Sequence, residues 1–292
     1  MNAEFNRLVA NAPYGIAEQL SPLVRRVLAR NPSPFTFTGT GTYIVGRGTV
    51  AIIDPGPADA AHLDAVAAAV AGETVSHLVV THTHRDHSPG AIPLKARLGG
   101  RIAGCAPLVL SDDGPRADAG FDPDYAPDQV LEDGEAIAGP GWTLRAVHTP
   151  GHTSNHLCFA LEEEQALFTG DHVMGWSTTV VAPPDGDMAA YMASLARLVA
   201  RSDALYYPTH GAPVKEPQRM ARHLMAHRRQ REAQILAQLD TGPRSIAAMV
   251  QQMYAAIDPR LWPAAGLSVL AHLVDLGARG AVVQDGETWR RA

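Results

Sequence analysis

Hydrophobic and polar positions alternate in short blocks along most of this 292-residue chain. Short apolar runs between turn residues predict strands, and longer runs with apolar residues three or four positions apart predict helices. These patterns predict a hairpin over residues 42–54, a helix over 58–72 that ends on a glycine, a buried strand over 76–80 and a helix over 89–100. The first third of the chain therefore alternates between strand and helix.

The same signals continue to the C-terminus. The predicted elements of the middle part are strands at 142–147, 156–161, 166–171 and 204–211 and a helix at 188–202. A long helical pattern then runs from 215 to 239, followed by two more helical patterns and a strand–turn–strand segment built on Asp285 and Gly286. The change from alternating elements to mostly helix predicts an α/β domain over 1–213 and a small C-terminal helical domain over 214–292.

Composition describes an ordinary globular protein, since 46% of the residues are hydrophobic and 18% are charged. A net charge of −6 does not indicate a polyanionic partner for the whole molecule. Cys105 and Cys158 are the two cysteines, so no disulfide framework is implied. The first 20 residues do not have the pattern of a signal peptide, and we find no apolar run long enough to cross a membrane. We therefore expect a cytoplasmic location and no membrane partner.

One stretch, LVVTHTHRDHSPG at 78–90, points to chemistry. An apolar strand ends in three histidines and an aspartate within six residues, namely His82, His84, Asp86 and His87. A helix does not explain the spacing, because His82 and His84 would lie about 200° apart around a 3.6-residue helix. Imidazole and carboxylate groups crowded at the end of a strand are typical of metal ligands.

Further histidines and an aspartate follow other predicted strands. His148, His152 and His156 come after the strand at 142–147, Asp171 ends another strand and His210 ends the last one. A single histidine is usually a surface or hydrogen-bonded core residue. A buried group of them without a cation would leave several costly polar atoms without partners. Since neutral imidazole and carboxylate suit zinc, iron or manganese, the set predicts a metal site.

The motif at 82–87 has the H-x-H-x-D-H pattern and resembles that of the metallo-β-lactamase superfamily. Later motifs match in order: Gly151-His152, Gly170-Asp171 and His210-Gly211, and the early IIDPGP stretch contains Asp54. The resemblance spans nearly the whole chain. It implies a four-layer αββα fold of the α/β class, followed by a small C-terminal helical domain.

A narrower likeness is to the subgroup that contains a mitochondrial lactamase-like endoribonuclease and many bacterial hydrolases. The segments NPSPFTFTGTGTYIVG and AHLVDLGARGAV resemble that group. In it, the C-terminal segment forms a winged-helix-like cap. We expect the same cap over the active site here.

The resemblance also implies a ligand set and two Zn²⁺ ions per chain, with iron or manganese as alternatives. It implies that His82, His84 and His152 hold one metal, that Asp86, His87 and His210 hold the other, and that Asp171 bridges them. Two cations a few ångströms apart can share a hydroxide and polarise the attacked oxygen. An aspartate at the bridge, and a histidine rather than a glutamate at position 84, favour hydrolysis over oxygen chemistry.

We therefore expect a hydrolase in which a bridging hydroxide attacks the carbonyl of a small ester or thioester, with Asp86 as a proton relay to the leaving group. The main competing function is cleavage of single-stranded RNA, which the subgroup likeness suggests. A channel for RNA normally combines a basic groove with stacking aromatics. Residues 1–213 instead carry a net charge of −10, and aromatic residues make up 6% of the chain.

The sequence leaves three more functions open: β-lactam hydrolysis as a side activity, a mononuclear iron persulfide dioxygenase, and a winged-helix nucleic-acid binder with a structural metal. The nucleic-acid binder is suggested by the basic C-terminal part, in which 11 Lys and Arg outnumber 7 Asp and Glu. Three of these arginines lie in the HRRQRE run at 227–232. A charge of +4 fits a solvated helix face, so nucleic acid is not the favoured partner. A homodimer is compatible with the sequence.

Weaker predictions concern residues beside the motifs. We expect Asp54 either to orient a ligand histidine through its second ring nitrogen or to cap a turn. His156 is interpreted as structural, His148 as structural or as support for a ligand, and His172 as pointing away from the metals because neighbouring residues of a strand face opposite sides. Asn155 stands where relatives carry an acidic residue.

Overall fold

The structure is a computed structural model that describes residues 3–108, 120–256 and 258–292. Within these residues, seven strands form one sheet in sequence order. They are β1 (Ala17–Gln19), β2 (Val24–Leu28), β3 (Gly41–Arg47), β4 (Thr49–Ile53), β5 (Thr74–Val80), β6 (Arg101–Gly104) and β7 (Gln129–Val130). Neighbouring strands are antiparallel from β1 to β4 and parallel from β4 to β7.

A second sheet contains five strands of the described chain, in the order β12-β11-β10-β9-β8. They are β8 (Ala136–Gly139), β9 (Trp142–His148), β10 (Leu157–Leu161), β11 (Ala166–Gly170) and β12 (Leu205–Pro208). All pairs are antiparallel except β11 and β12, which run parallel. The carboxyl ends of β11 and β12 therefore meet at one edge.

The two sheets pack face to face through their apolar side chains. Ile44 and Leu78 of the first sheet share one buried cluster with Leu144, Phe159 and Phe168 of the second. Four helices complete the layers: α2 (Ala60–Ala69) and α3 (Ala91–Leu98) pack on the first sheet, and α4 (Met188–Val199) and α5 (Pro217–Leu239) pack on the second. The predicted four-layer αββα architecture is confirmed.

Most elements predicted from hydrophobic periodicity are present, including the β3–β4 hairpin and helices α2 to α5. The prediction did not include helix α1 (Ala3–Ala10) or several short strands. Strand β2 was not predicted because Arg25 and Arg26 interrupt the alternation of apolar residues along it. Both arginines are partly buried, and ion pairs at 2.7 Å to Glu73 and 2.9 Å to Glu18 compensate their charges.

The C-terminal part has the form of a winged helix, as predicted. Its elements are β13 (Arg244–Ser245), α6 (Ile246–Met253), α7 (Trp262–Ala278), β14 (Val282–Asp285) and β15 (Thr288–Arg291). The turn between β14 and β15 contains Gly286 with φ +57°, which suits the expected tight turn. This part has its own core, which includes Met249, Val269, Leu273 and Trp289.

The stretch Pro259–Ala278 is long and apolar enough to span a membrane by length and composition, contrary to the expectation from the sequence. Val269, Leu273 and Leu276 on this stretch are buried in the C-terminal core. One face of the stretch therefore packs in the C-terminal core, whereas Val274 on the same helix is 49% exposed.

Helix α5 belongs to both parts of the molecule. Ala221 and Leu224 near its start pack in the cluster between α4 and the second sheet, whereas Ile235 and Leu239 near its end pack in the C-terminal core. The boundary predicted at 213/214 stays a prediction. The shared helix fixes how the C-terminal part sits beside the sheet edge that carries the candidate site.

Candidate metal centre

The seven side chains predicted as metal ligands converge at one edge of the two sheets. Strand β5 leads into the loop with His82, His84, Asp86 and His87, while the loops after β9, β11 and β12 supply the other three, His152, Asp171 and His210. Their ligand atoms form three overlapping groups in which all atoms lie within 4.8 Å of one another. The fold thus gathers residues that are up to 128 positions apart in the chain.

The first group consists of three buried histidines. Nε2 of His82 lies 2.9 Å from Nδ1 of His84, and Nε2 of His152 lies 3.1 Å from the same atom. Nδ1 of His152 is 2.6 Å from the carbonyl oxygen of Val180 and donates to it, which leaves Nε2 unprotonated and turned toward the other two rings. Three imidazole nitrogens that face one point match the donor set of a zinc site.

The second group consists of Asp86, His87 and His210. Oδ2 of Asp86 lies 3.1 Å from Nε2 of His210 and 3.4 Å from Nε2 of His87. Nδ1 of His210 donates to the carbonyl oxygen of Gly39 at 3.2 Å, so its Nε2 is the atom that faces the group. Thr40 Oγ1 also donates to Asp86 Oδ2, at 3.2 Å, and fixes the carboxylate from the other side.

Asp171 lies between the two groups. Its Oδ1 is 3.3 Å from His210 Nε2, and its Oδ2 is 3.6 Å from His87 Nε2 and 3.7 Å from His152 Nε2. A single carboxylate that reaches both sets of histidines has the placement that a bridging ligand needs. The geometry agrees with the predicted assignment of Asp171, whose role as a ligand stays a prediction.

The electrostatics of this donor set fit a divalent cation. Burial alone would lower the pKa of His87, but the adjacent Asp86 and Asp171 carboxylates raise it well above its usual value. Burial likewise would raise the pKa of Asp171, but His210 and His87 lower it well below its usual range. His87 Nε2 is buried and makes no hydrogen bond with any residue that the structure describes. Negative carboxylates and an inward-facing buried nitrogen are the features that a bound cation would satisfy.

Asp54 supports the second group from behind. It is fully buried, and its Oδ2 accepts from His87 Nδ1 at 2.9 Å, from Thr209 Oγ1 at 2.9 Å and from Thr81 Oγ1 at 3.0 Å. Its Oδ1 accepts from the Thr81 backbone N–H at 2.9 Å. Of the two roles expected for Asp54, the contacts agree with the first: it holds His87, a candidate metal ligand, by the ring nitrogen that faces away from the site.

His156 supports Asp171 without joining the ligand atoms. Its Nε2 accepts from the Asp171 backbone N–H at 3.2 Å, so Nδ1 carries the proton and donates to Thr149 Oγ1 at 2.9 Å. Burial lowers its pKa well below the usual value, which keeps the ring neutral as this pattern requires. Gly170, with φ +50°, makes room for it, because a Cβ there would lie 2.5 Å from His156 Nε2.

The remaining candidates lie outside the cluster. His148 is exposed and contacts the Ser154 carbonyl at 3.2 Å, and His172 packs against the Tyr191 ring with centroids 4.7 Å apart. Asn155 donates to the Ala106 carbonyl at 2.8 Å and does not reach the ligand groups. These positions agree with the structural interpretation of His148 and with the outward orientation expected for His172.

Several supporting groups were not predictable from the sequence. Thr40 and Thr209 hold Asp86 and Asp54 through hydroxyl groups, and the Val180 carbonyl orients His152. Threonines and backbone carbonyls are too common to stand out in a sequence. The position of Thr209, directly before His210, was the one available signal.

The cluster opens into a cavity of about 600 Å³. One wall comes from the loops at the sheet edge and includes Phe35, Met174 and Trp176. The other comes from α5, which supplies Arg228, and from the start of α7 with Leu261 directly before it. Trp176 is stacked on Phe37 with ring centroids 4.9 Å apart, which holds its indole at the cavity rim. The C-terminal part therefore contributes directly to the space above the candidate metal centre.

Comparison with known proteins gives two family matches. A model described as the metallo-beta-lactamase superfamily matches residues 36–210, and a model described as the beta-lactamase associated winged helix domain matches residues 245–289. The first covers more than half of the chain and includes all seven clustered residues. The second covers most of the C-terminal part.

Two curated relatives illustrate the similarity. The chain is 38% identical over 231 residues to the protein named atrochrysone carboxyl ACP thioesterase AgnL7 from Paecilomyces divaricatus, a match that covers 78% of this chain and 68% of that protein. It is 36% identical over 229 residues to lactamase-like protein adaB from Aspergillus niger, covering 76% and 66%. The chain thus spans about two thirds of the length of these relatives. Their names do not support the narrower likeness to a mitochondrial endoribonuclease.

Two solved structures share the fold. A beta-lactamase domain protein from Burkholderia ambifaria superposes with a TM-score of 0.80 at 23% identity, covering 100% of this chain and 99% of that one. A metallo-beta-lactamase family protein from Thermus thermophilus gives a TM-score of 0.75 at 24% identity, covering 94% and 100%. The architecture therefore extends to both parts of the molecule.

Proposed function

This chain belongs to the metallo-β-lactamase superfamily and is a metal-dependent hydrolase with a C-terminal winged-helix domain. We propose that it hydrolyses an acyl thioester at a dinuclear zinc centre. The observation that carries the proposal is the junction of the ligand cluster with a cavity of about 600 Å³ whose wall includes Phe35, Met174, Trp176 and Leu261. Such a wall fits an apolar acyl group. The thioesterase names of similar proteins support the same substrate class.

The residues present fit two metal ions. His82, His84 and His152 would hold one, Asp86, His87 and His210 would hold the other, and Asp171 would bridge them. When bound, the metals would lower the pKa of a water molecule and polarise the thioester carbonyl. The reaction adds the water oxygen to the carbonyl carbon, breaks the C–S bond and transfers the remaining proton to the departing sulfur.

The protein's own contribution is to orient the ligands and to provide a place for this proton. Hydrogen bonds to Asp54, Val180 and Gly39 fix the rings of His87, His152 and His210. The Asp86 side chain keeps 14% of its surface exposed and lines the cavity. We assign Asp86 the relay of the proton to the leaving thiolate, because its carboxylate borders both the ligand cluster and the substrate space.

A side-by-side assay of zinc-loaded protein tests this function. We expect turnover of uncharged acyl thioesters and esters, with thioesters preferred, and loss of that turnover in His82→Ala. The same preparation is given a β-lactam and single-stranded RNA, and the control is Asp64→Asn, a substitution on an exposed part of helix α2. RNA cleavage that depends on His82, with no thioester or ester turnover, would overturn the proposal.

Metal content is the second test. Elemental analysis of the purified protein should give close to two zinc ions per chain. One iron per chain, together with oxygen consumption on a persulfide, would instead assign the dioxygenase activity. Cytoplasmic location and a homodimer remain expectations from the sequence.

A further inference from the structure

Two arginines of α5 face the cavity from the side of the winged-helix domain. Arg228 and Arg231 line the same space as the candidate metal ligands Asp86 and Asp171, with His227 beside them. The two carboxylates turn toward the histidines of the metal centre. The arginines therefore add positive charge to a cavity in which the acidic groups already have other partners.

Arg228 is the buried member of this pair, with 3% of its surface exposed. One of its terminal nitrogens donates to the Thr179 carbonyl, and its guanidinium lies 5.2 Å from the centroid of the Tyr191 ring. Its Nε is buried without a hydrogen-bond partner, and among the described residues no carboxylate forms an ion pair with it. A buried arginine is normally paired, so this one has unused capacity to bind an anion.

Arg231 lies one turn further along the helix and is partly buried. Its guanidinium is 4.6 Å from the centroid of the Tyr254 ring, and it donates to His227 Nε2 at 3.3 Å and to Gln234 Oε1 at 2.9 Å. Burial and the nearby Arg228 lower the pKa of His227 to about 4, so this histidine accepts as a neutral ring. Both partners of Arg231 are uncharged.

Two other arginines of this region form ion pairs with glutamates. Arg219, at the start of α5, pairs with Glu216 at 2.8 Å, and Arg279, at the end of α7, pairs with Glu232 at 2.6 Å. In the part of the chain that the structure describes, no such ion pair is formed by Arg228 or Arg231. Arg222 and Arg229 of α5 also form no ion pair with a described residue, but both are exposed to solvent and neither lines the cavity. Arg228 and Arg231 differ from them because their unpaired charge faces the cavity.

We propose that Arg228 and Arg231 form an anion subsite that binds a carboxylate or phosphate group of the thioester substrate while the thioester lies at the metal centre. This inference rests on the proposed thioesterase function. Guanidinium groups match such oxyanions through paired N–H donors. The anion has two sources in a thioester: an acid group at the far end of the acyl chain, or a phosphate on the arm that carries the thiol.

Arg231 is the better residue to substitute. Arg228 also contacts Thr179, whose hydroxyl donates to the Asp171 carbonyl at 2.7 Å, so its removal would disturb the metal centre as well. The described contacts of Arg231, with His227, Gln234 and Tyr254, do not connect it to the metal centre in this way. Arg229, the exposed neighbour on the same helix, does not line the cavity and serves as the matched control for charge.

The test measures kcat/KM on two pairs of substrates that differ by one anionic group. The first pair is the hexanoyl and the adipoyl thioester of N-acetylcysteamine, which tests an acid on the acyl chain. The second is hexanoyl pantetheine and hexanoyl 4′-phosphopantetheine, which tests a phosphate on the thiol arm. Wild type, Arg231→Gln, Arg231→Lys and Arg229→Gln are compared, each with its zinc content and thermal unfolding recorded.

We expect the anionic member of one pair to be preferred by about tenfold or more, the effect of one charge-assisted hydrogen bond. Arg231→Gln should remove that preference, mainly through KM, Arg231→Lys should restore part of it, and Arg229→Gln should retain it. Turnover of the uncharged thioesters without preference in either pair, or a preference that survives in Arg231→Gln, would overturn the anion subsite and leave the thioesterase function standing. Failure to hydrolyse any thioester would refute that function and this inference with it.

Discussion

Asp54→Asn tests whether the support behind the metal centre matters as the contacts imply. Asparagine keeps the size of the side chain and tolerates the left-handed backbone at this position, where φ is +46°. It replaces one carboxylate oxygen by an NH₂ group. Oδ2 of Asp54 accepts from His87, Thr81 and Thr209, and Oδ1 accepts from the Thr81 backbone N–H.

The expected cost follows from these four hydrogen bonds. The two hydroxyl groups can rotate and accept from the new NH₂, but the His87 Nδ1–H and the Thr81 backbone N–H cannot both face the remaining oxygen. At least one buried donor therefore loses its acceptor, and the others lose a charged one. We expect a loss of about 2 to 4 kcal/mol in the free energy of unfolding. Zinc affinity at the site of His87 should fall by about 10- to 100-fold.

Two measurements separate these effects. Urea unfolding of metal-free protein gives the change in stability, and competition with a chromophoric chelator gives the zinc affinity of each site. Asp64→Asn is the control, because Asp64 has a side chain that is 71% exposed and an ion pair with Arg97 at the surface. Its effect on stability should be about 1 kcal/mol or less, with unchanged zinc affinity. If Asp54→Asn binds two zinc ions as tightly as wild type, the orienting role derived for Asp54 is refuted.

Three further predictions concern the site and its surroundings. Asp86→Ala or His87→Ala should leave one zinc per chain and abolish turnover with the circular dichroism spectrum unchanged; full activity in either would contradict a dinuclear mechanism. Gly170→Ala should destabilise the protein by about 2 to 4 kcal/mol in urea unfolding, because the added Cβ would lie 2.5 Å from His156 Nε2; an unchanged midpoint would show that the strand end can shift. His272 of α7 is buried, and burial, with a smaller effect from nearby Arg228, lowers its pKa to about 3. The unfolded chain therefore takes up the proton first, and stability falls as pH drops below about 6.5, by up to about 1.4 kcal/mol per pH unit. His272→Gln should show a smaller fall in unfolding free energy between pH 7 and pH 5 than wild type, and an equal fall would contradict this assignment.

The sequence was informative where chemistry is concentrated in short motifs. The H-x-H-x-D-H motif was predicted to lie in a loop at the end of a strand, and strand β5 ends directly before it. Asp171 and His210 follow parallel strands β11 and β12, so their spatial proximity was predictable once both strands were placed at one edge. Local patterns also predicted helices and a strand–turn–strand segment at Gly286 in the C-terminal part, whereas the winged-helix form was implied by the family resemblance.

Short strands were not predictable, because their stability comes from neighbours rather than from their own residues. Strand β2 carries two adjacent arginines whose charges are compensated by ion pairs and backbone carbonyls of other segments, and β7 has just two residues. Isolated stretches of this length have too few side chains to show a period. Their pairing depends on the strand beside them.

The sequence by itself determined the ligand types, the order in which they occur and the alternation of elements that carries them, because these depend on local spacing. Only the tertiary structure decided what surrounds them. Asp54 and Thr209 are 155 positions apart and share a hydrogen bond, and Arg228 reaches the cavity because α5 is packed against both the second sheet and the C-terminal core. Burial and hydrogen bonding between distant segments have no local pattern, since the free energy that fixes them arises when the layers pack together.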